Sequence, residues 1–595
     1  MQVTKLLLLA PSFVLLSALA PETRVYDVAR YGAKCDAATT GSARTTLART
    51  VPAGSSTAAM VSTAHVVHGA QIYLDPTASA QEVVYVRAVT GNDVTFTAPL
   101  KNGHQAGAGV YGSGGYVAGT DDTKAINAAF AAAAGDATAT VAFPAGKCAI
   151  SGPLNASVSG LTVAGAGMRA TTIVAMPNFT YDPARTPRGL DGQYAAMLWT
   201  DAPEAPPARG INRPQLPLQH VTIRDLGLDP RAGSQKPFYN YNAISGYARA
   251  IQYFTVRDVY FELGSPLSFT DTTKPFTGIN YIALAYDPDN SSHDLLFANI
   301  EAHNGVGTIQ LRQGAGYTVH PCPPVVRDKI SGIKILDEKD VVDLDDIEDD
   351  RIVITAKGCN PGAEMDDIVV NGQVVTIAPS VTTGGANGLK IETFNASLRN
   401  LQYTNTQYTG SPNGSYLASG TRYGSGVPFV ALIFSKNSGM NDITVAHMRA
   451  ANSVGVAVVT RGGASGEPVK VTFDDLTLTN TYGAACLRIA SLAPPSGRDQ
   501  VHVSNVTCSA SPDARARFGN GLYGLLFAPT GVATNGLSGD VGVRNSRFTG
   551  YPQPVSIYGG GGFKGIVLDG VSWDSGRPTV DPSTIMRNTS GAHAP

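Results

Sequence analysis

The sequence predicts an all-β fold arranged as a parallel β-helix, a solenoid in which short strands stack coil upon coil. Composition and one recurring pattern carry this prediction. The 595 residues include 65 Gly and 37 Pro, which form turns, beside many Val and Thr, which favour strands. A single segment has a convincing helical pattern. A fold built mainly from helices is therefore disfavoured.

The recurring pattern is an apolar residue, any residue, Asn or Asp, and a second apolar residue. Its nine copies, three of them imperfect, begin at Ile223, Val256, Phe297, Leu398, Val445, Phe473, Val503, Val543 and Leu568. A short strand pattern that recurs along the chain in this way is typical of stacked coils. The Asn and Asp residues are interpreted as turn formers that tolerate left-handed backbone, and not as catalysts.

The first 20 residues have the pattern of a secretory signal peptide. Lys5 supplies a positive charge, residues 6–20 form a short apolar core, and Ala18 and Ala20 mark a small-residue cleavage site. Pro21, directly after this site, disfavours cleavage there, so a cut nearby and a retained anchor are the alternatives. Export to an extracellular or periplasmic location is predicted, with no membrane span in the mature protein.

The charge balance argues against one class of partner. The formal net charge is −2 and 15% of residues are charged, so the chain lacks the basic surface of a nucleic-acid binder. We predict no nucleic-acid partner.

The one predicted helix begins at the sequence TDDT. Thr120 or Asp121 is expected to cap it, and Asp122 complements the positive end of its dipole. Ile126 and Phe130 fall on one face at a spacing of four residues. The two adjacent carboxylates are therefore interpreted as structural.

Residues 38–118 lie between an N-terminal segment that begins at Val25 and the predicted helix. Short alternating runs at residues 71–74, 83–89 and 94–96 predict a small inserted β-module. The domain prediction is a β-helix over residues 21–37 and 119–590 with this module between them. Glycan binding and packing are both open as its role.

Three segments resemble the N-terminal pattern of the pectate-lyase-like superfamily of right-handed parallel β-helices, which includes pectate lyase 3 and relatives of glycoside hydrolase family 28. They are VYDVARYGAKCDA from Val25, TDDTKAINAAF from Thr120 and TVAFPAGKCAI from Thr140. The resemblance implies that the helix covers one end of the β-helix core. It also implies a secreted enzyme that binds a polysaccharide along the outside of the coils.

Six cysteines in an exported chain indicate disulfides, with buried thiols as the alternative. Cys486 and Cys508 are about one coil apart, which brings them within disulfide range. Cys35 and Cys148 lie in the two segments that flank the helix in the family pattern, and Cys322 with Cys359 closes an excursion.

Three long excursions from the coils are expected to be functional loops, at residues 177–218, 322–359 and 407–428. The acidic run at residues 337–350 is interpreted as a solvated loop. It lacks the spacing of an EF-hand, although aspartates from separate coils leave a Ca²⁺ site open. No linear metal motif is present, and no other cofactor is predicted.

The segment NGLKIETF from Asn387 resembles a segment of polygalacturonase-type β-helix hydrolases. Lys390 replaces the substrate-binding Arg, Glu392 replaces a Lys, and the other motifs of that family are missing. The catalytic candidates are therefore Lys390 and Glu392, with His303 as a general base and Arg312 as a carboxylate binder. Predicted substrate-binding residues are Tyr286, Asp289, Gln310, Arg422 and Tyr423.

These residues predict cleavage of an acidic, uronate-containing polysaccharide by β-elimination. The alternatives are a polygalacturonase-like hydrolase, a uronate epimerase, and a glycan-binding β-helix without catalytic activity. Both a monomer and a trimer are compatible with the sequence, and the polysaccharide is the expected partner.

Overall fold

The computed structural model describes residues 24–75, 80, 82–112, 114–136, 138–180, 194–200, 217–232, 240–247, 250–263, 276–283, 291–305, 307–314, 329–342, 347–357, 363–379, 384–412, 429–436, 438–461, 468–491, 498–527, 537–557, 564–580 and 584–591. Two long parallel sheets form its body, one of 24 strands and one of 12. The chain alternates between them, as in the successive strands Ile251–Glu262, Phe276–Ala283 and Ser292–His303. The protein is a right-handed parallel β-helix, as the sequence predicts.

The strands of the 24-stranded sheet are Val25–Asp27, Thr140–Ala142, Gly146–Ile150, Thr162–Ala164, Thr171–Ala175, Leu218–Gln219, Thr222–Asp229, Ile251–Glu262, Ser292–His303, Lys329–Leu336, Lys339–Val342, Ala363–Asn371, Val374–Ile377, Ala396–Thr404, Gln407–Thr409, Met440–Ala451, Val469–Thr481, Asp499–Ala510, Ser538–Arg544, Arg547–Thr549, Lys564–Asp569, Ser572–Trp573, Ile585–Arg587 and Ser590–Gly591. Those of the 12-stranded sheet are Leu154–Asn155, Tyr194–Trp199, Asn240–Tyr247, Phe276–Ala283, Gly307–Gly314, Ile347–Lys357, Gly384–Phe394, Phe429–Lys436, Gly455–Arg461, Ala485–Ser491, Tyr523–Phe527 and Gln553–Ile557. The helices are Val28–Tyr31, Thr123–Ala133, Pro512–Phe518 and Gly519–Gly521, the first and last of them 3₁₀.

Side chains that alternate along each strand fill the inside of the solenoid. In the strand Ser292–His303, Leu295, Phe297, Ile300 and Ala302 are each at most 1% exposed. One continuous apolar cluster extends from Val28 to Val571. The residues that alternate with these inward side chains along each strand face outward.

The strands of the larger sheet bend at residues with left-handed backbone. Asp258 and Asn299 occupy the same bend in neighbouring coils, with φ of 56° and 49°. This confirms the interpretation of the recurring Asn and Asp as turn residues. The copy at Leu398 differs, because its Asn400 aligns with Asp367 at a second, separate bend.

The helix Thr123–Ala133 covers the N-terminal end of the core, and Ile126 and Phe130 are buried there. Its N-cap residue is Asp122, so the expected cap at Thr120 is wrong. Thr120 instead donates to Asp36, close to the paired segments Ala38–Thr40 and Gly115–Ala118. Asp121 does accept the N–H of Thr123 at 3.0 Å, as expected. Asp122 accepts two backbone N–H groups from residues 34 and 35. Both carboxylates are structural.

Within residues 38–118 the chain forms its own antiparallel sheet. Its six strands are Arg44–Thr46, Thr57–Ala59, Gln71–Leu74, Glu82–Thr90, Asp93–Phe96 and Gly109–Gly112. They enclose an apolar cluster separate from the main core. The segments Ala38–Thr40 and Gly115–Ala118 pair as a two-stranded stem between the module and the β-helix.

Two predicted disulfides are confirmed, Cys35–Cys148 and Cys486–Cys508. Cys322 and Cys359 lie outside the described residues, as does the predicted signal peptide. The structure corrects the three excursions, because each contains strands of the coils, such as Tyr194–Trp199 and Ile347–Lys357. In the part of the chain that is described, no helix is long and apolar enough to cross a membrane.

Candidate functional site

One outward face of the larger sheet carries a dense group of ionisable side chains. We name it the Glu301 cluster. It comprises Arg169, Tyr260, Glu262, Glu301, His303 and Lys339. In each of the strands concerned, the chain resumes regular alternation after its Asn or Asp bend, so that every second side chain faces outward. The register then places Tyr260 beside Glu301, Glu262 beside His303, and Glu301 beside Lys339.

Glu301 is the centre of the cluster. Its Oε1 lies 2.9 Å from Nε2 of His303, 2.9 Å from Nη2 of Arg169 and 3.6 Å from Nζ of Lys339. Burial disfavours its charge, but hydrogen bonds from His303 and Arg169 and the charges of Arg169 and Lys339 outweigh it. The pKa of Glu301 is therefore lowered, and the side chain is ionised at neutral pH.

His303 is oriented by this carboxylate. An ionised acceptor at Nε2 selects the neutral tautomer that carries its hydrogen there. Nδ1 then has a free lone pair, and within the described residues it has no protein partner. The side chain is 27% exposed, so a ligand on the outer face can reach it. His303 is thus arranged as a proton acceptor.

Tyr260 lies between these groups. Arg169 stacks on its ring, with the guanidinium carbon 3.3 Å from the ring centre, and the His303 ring meets it edge-on at 5.2 Å. Its hydroxyl donates to Glu262. Burial, and then the charge of Glu262, raise the pKa of Tyr260 despite the opposing effect of Arg169, so the phenol keeps its proton at neutral pH.

A buried arginine fixes the edge of the cluster next to the inserted module. Arg231 donates from Nε and Nη2 to the carboxylate of Asp229, and its Nη1 lies 3.8 Å from Glu262. The same guanidinium donates to Ser42 and to the carbonyl of Thr40 in the stem of the module. The stem of the module is therefore tied to the residues that support Glu262.

The cluster combines four chemical capabilities on one open face. It holds an oriented imidazole, a protonated phenol, two carboxylates and two cations. Arg169 and Lys339 are each 52% exposed at the side chain, so they can contact a negatively charged ligand. This set suits proton transfer next to a carboxylate.

A second polar group lies on the outside of the 12-stranded sheet. Lys390 and Glu392 project outward, in alternation with the buried Leu389, Ile391 and Thr393. Gln310 and Arg312 occupy the same two outward columns two strands away, with Val353 and Thr355 between them. This placement separates all four residues from His303, which lies on the larger sheet.

Two contacts hold the polar side chains of this second face. Lys390 Nζ lies 3.1 Å from the buried carboxylate of Asp350, and Arg312 donates to Gln310 at 3.1 Å. The face continues into a small buried apolar group that includes Leu432 and Ala457. Its assignment as catalytic stays a prediction.

The other predicted site residues are not described by the structure. Tyr286, Asp289, Arg422 and Tyr423 all lie outside the described residues. Sequence reasoning did not select Arg169, Tyr260, Glu262 or Lys339. Aligning the repeats on their bend residue would have found two of them, since Tyr260 and Glu262 follow Asp258 at the outward positions that Glu301 and His303 occupy after Asn299.

Comparison with known proteins leaves the family open. No protein-family model and no curated protein matches the chain. Among solved structures, the catalytic domain of a GH87 alpha-1,3-glucanase in complex with tetrasaccharides is 11% identical, over 96% of this chain and 95% of that chain, with a TM-score of 0.39. The A-module of an Azotobacter vinelandii mannuronan C-5 epimerase is 14% identical over 74% and 94%, with a TM-score of 0.30. An N-terminal fragment of bacteriophage Phi29 gene product 12 is 12% identical over 80% and 68%, with a TM-score of 0.34. Scores this low carry no argument about the chemistry of the chain.

Proposed function

We propose that the protein is an exported enzyme that cleaves an acidic, uronate-containing polysaccharide by β-elimination at the Glu301 cluster. The observation that carries the proposal is an imidazole oriented by a carboxylate, beside two exposed cations, on an outward face of a solenoid. Two disulfides fit an oxidising compartment and therefore export.

The cations bind the substrate and assist the first step. Arg169 and Lys339 pair with the uronate carboxylate, which stabilises the negative charge that develops when the neighbouring carbon loses its proton. Binding of a uronate also draws these cations partly away from Glu301. The Glu301 carboxylate remains held by His303, so the orientation of the imidazole is preserved.

The elimination itself uses His303 and Tyr260. His303 Nδ1 takes the proton from the ring carbon that bears the carboxylate, and the electron pair forms a double bond to the next carbon. The bond from that carbon to the glycosidic oxygen breaks, and Tyr260 donates its proton to the leaving oxygen. Transfer of the proton from the imidazolium to the phenolate through solvent restores both groups.

Hydrolysis is the second candidate, because Glu262 and Glu301 place two carboxylates in one cluster. In a hydrolase one of them protonates the leaving oxygen and the other activates water or attacks the sugar. The lowered pKa of Glu301 suits the ionised role. Products distinguish the two reactions, since only elimination leaves a double bond conjugated to the carboxylate.

The test is an assay of purified protein on polygalacturonate, alginate and other uronate polymers, with calcium and with a chelator. Ultraviolet absorbance of the unsaturated product and new reducing ends are followed together. We expect both to rise in parallel. Reducing ends without absorbance would establish hydrolysis, and no change in either signal across the panel would favour the glycan-binding alternative. The chelator arm tests the Ca²⁺ expectation.

Variants decide which face carries the reaction. We expect His303→Ala to lower kcat by about 10²–10⁴-fold, the usual contribution of a general base. Lys390→Ala on the other sheet should retain activity. The matched control is Thr507→Ala, an outward residue in the same column as Glu301 but six strands away, on the order of 29 Å. Loss of activity in Lys390→Ala with His303→Ala intact would move the reaction to the 12-stranded sheet.

A further inference from the structure

A second bend of the larger sheet carries aromatic side chains in two coils. Its residues align in register, and all have left-handed backbone with φ between 50° and 62°. The aligned residues are His220, Tyr253, Asp294, Gly332, Asp367, Asn400 and Asp442. Five of the seven are Asp, Asn or Gly, the residue types that adopt this conformation most readily. His220 and Tyr253 are the exceptions.

The aromatic residues form one surface, which we name the aromatic corner: His220, Tyr253 and His293. The rings of His220 and Tyr253 stack with centroids 4.6 Å apart and planes within 3°. His293, next to the bend residue Asp294, meets Tyr253 edge-on at 5.2 Å. Tyr253 is 47% exposed although the rings contact one another. The stack therefore presents apolar area to solvent.

This arrangement is unfavourable for the fold by itself. A bulky aromatic residue at positive φ is strained, and an Asn or Asp would make the same bend more easily. Exposing part of a large ring forgoes the stabilisation that its burial would bring. Strained residues with exposed rings are typical of binding surfaces, where the cost is recovered when a ligand covers them.

Polar groups surround the rings. The carboxylate of Asp294 is 56% exposed and lies 2.7 Å from Nδ1 of His293. Gln219 donates to Gln252 at 2.6 Å, and Gln252 donates to the carbonyl of Ser291 at 3.0 Å. An apolar ring face bordered by hydroxyl-binding side chains matches a pyranose, which has an apolar C–H face and a rim of hydroxyls.

We propose that the aromatic corner is a glycan-binding subsite that stacks a pyranose ring of a polysaccharide on Tyr253 and His220. Asp294 accepts hydrogen bonds from the hydroxyls of that ring. The subsite is distinct from the Glu301 cluster, because Tyr253 and Tyr260 lie on opposite sides of the bend at Asp258 in one strand. It does not require that the protein cleaves the glycan it binds.

The test is affinity electrophoresis of the full chain in native gels containing polygalacturonate, alginate, xylan or mixed-linkage β-glucan. The variant Tyr253→Asn places at this bend the residue type that Asn400 supplies four coils further on. We expect it to weaken binding by at least tenfold while raising the midpoint of thermal unfolding. Tyr253→Phe should bind nearly as well as wild type. Asn400→Ala, at the same bend in a distant coil, should lower thermal stability without changing binding.

Each outcome bears on the subsite. Retardation of wild type by at least one polymer, lost in Tyr253→Asn, supports it. Equal retardation of wild type and Tyr253→Asn, or no retardation of wild type on any polymer, overturns it. A drop in stability of Tyr253→Asn with unchanged binding would assign Tyr253 a structural role. Repeating the gels with His303→Ala separates the two proposals, because binding that persists without activity leaves the subsite intact.

Discussion

The inside of the β-helix differs between its central and its C-terminal coils. One inward column of the larger sheet contains Met448, Leu476 and Val506 in the C-terminal coils. Its preceding members, in the central coils, are Glu338, Gln373 and Thr406, all at most 1% exposed. A second inward column has one polar member, Asp340 in a central coil, which is followed by Val375 and Tyr408 and then by Leu478 and Cys508. The same positions of one fold thus hold polar groups in one region and apolar groups in the other.

The central coils connect their buried polar groups to one another. Thr308 donates to Asp340, the Tyr403 hydroxyl donates to Gln373 at 2.6 Å, and Gln373 donates to the carbonyl of Gly388 at 2.9 Å. Burial, and then the neighbouring Asp340, raise the pKa of Glu338 well above its usual value. Burial therefore favours the protonated form of Glu338.

The comparison separates what the fold requires from what it tolerates. Stacked coils need inward side chains of suitable volume, and both regions provide them. Apolar side chains also contribute burial free energy, whereas buried polar groups gain little after desolvation. The C-terminal coils should therefore be the more stable region, and the central coils should respond to pH.

Removing a large side chain from the apolar region should have the largest effect. We expect Leu476→Ala to lower the free energy of unfolding by about 2–5 kcal/mol, because it leaves a cavity in a packed core. Denaturation by urea measures this. Thr477→Ala, the adjacent outward residue, should change it by less than about 0.5 kcal/mol. A loss below about 1 kcal/mol for Leu476→Ala would mean that these coils relax around the gap.

The disulfide of the same region should contribute slightly less. Cys486 and Cys508 close a loop of 22 residues, and replacing both with Ala should cost about 3 kcal/mol through the entropy of the unfolded chain. Hydrogen exchange followed by mass spectrometry should show faster exchange in the strands Ala485–Ser491 and Asp499–Ala510. Faster exchange confined to the central coils would contradict this assignment.

Local sequence was enough to predict the bends and the inward alternation. Asn and Asp adopt left-handed backbone more readily than most residues, so the recurring motif was enough to predict bends at Asp258, Asn299 and Asn505. The helix that covers the end of the core could also be predicted locally, because Ile126 and Phe130 are spaced four residues apart. These features depend on a few consecutive residues.

The acidic run at residues 337–350 shows where local reading fails. Its charge density predicts a solvated loop, yet Glu338, Asp340 and Asp350 are buried. Glu338 and Asp340 point into the core, as Val342 does. Pairing with the strand Val374–Ile377 fixes which side chains of this segment face inward. The Glu301 cluster is similar, because coil register and a turn bring Tyr260 and Arg169 to His303. Register between distant segments is not encoded in any short stretch.

The smallest effect is expected for Glu338→Gln, and it has the opposite sign. The raised pKa of Glu338 favours a proton in the folded chain that the unfolded chain releases above its ordinary pKa of 4.5. Wild type therefore loses stability as pH rises from that value toward the raised folded-state pKa. A glutamine binds no proton, so the variant should lose this slope and gain roughly 1–2 kcal/mol at neutral pH.

Urea denaturation across a pH series measures both quantities. Asp367→Asn, an exposed carboxylate in the next coil, should leave the slope unchanged. If Glu338→Gln lowered stability at neutral pH, Glu338 would be ionised and paired in the folded chain. An ion pair would then stabilise the buried polar groups of the central coils.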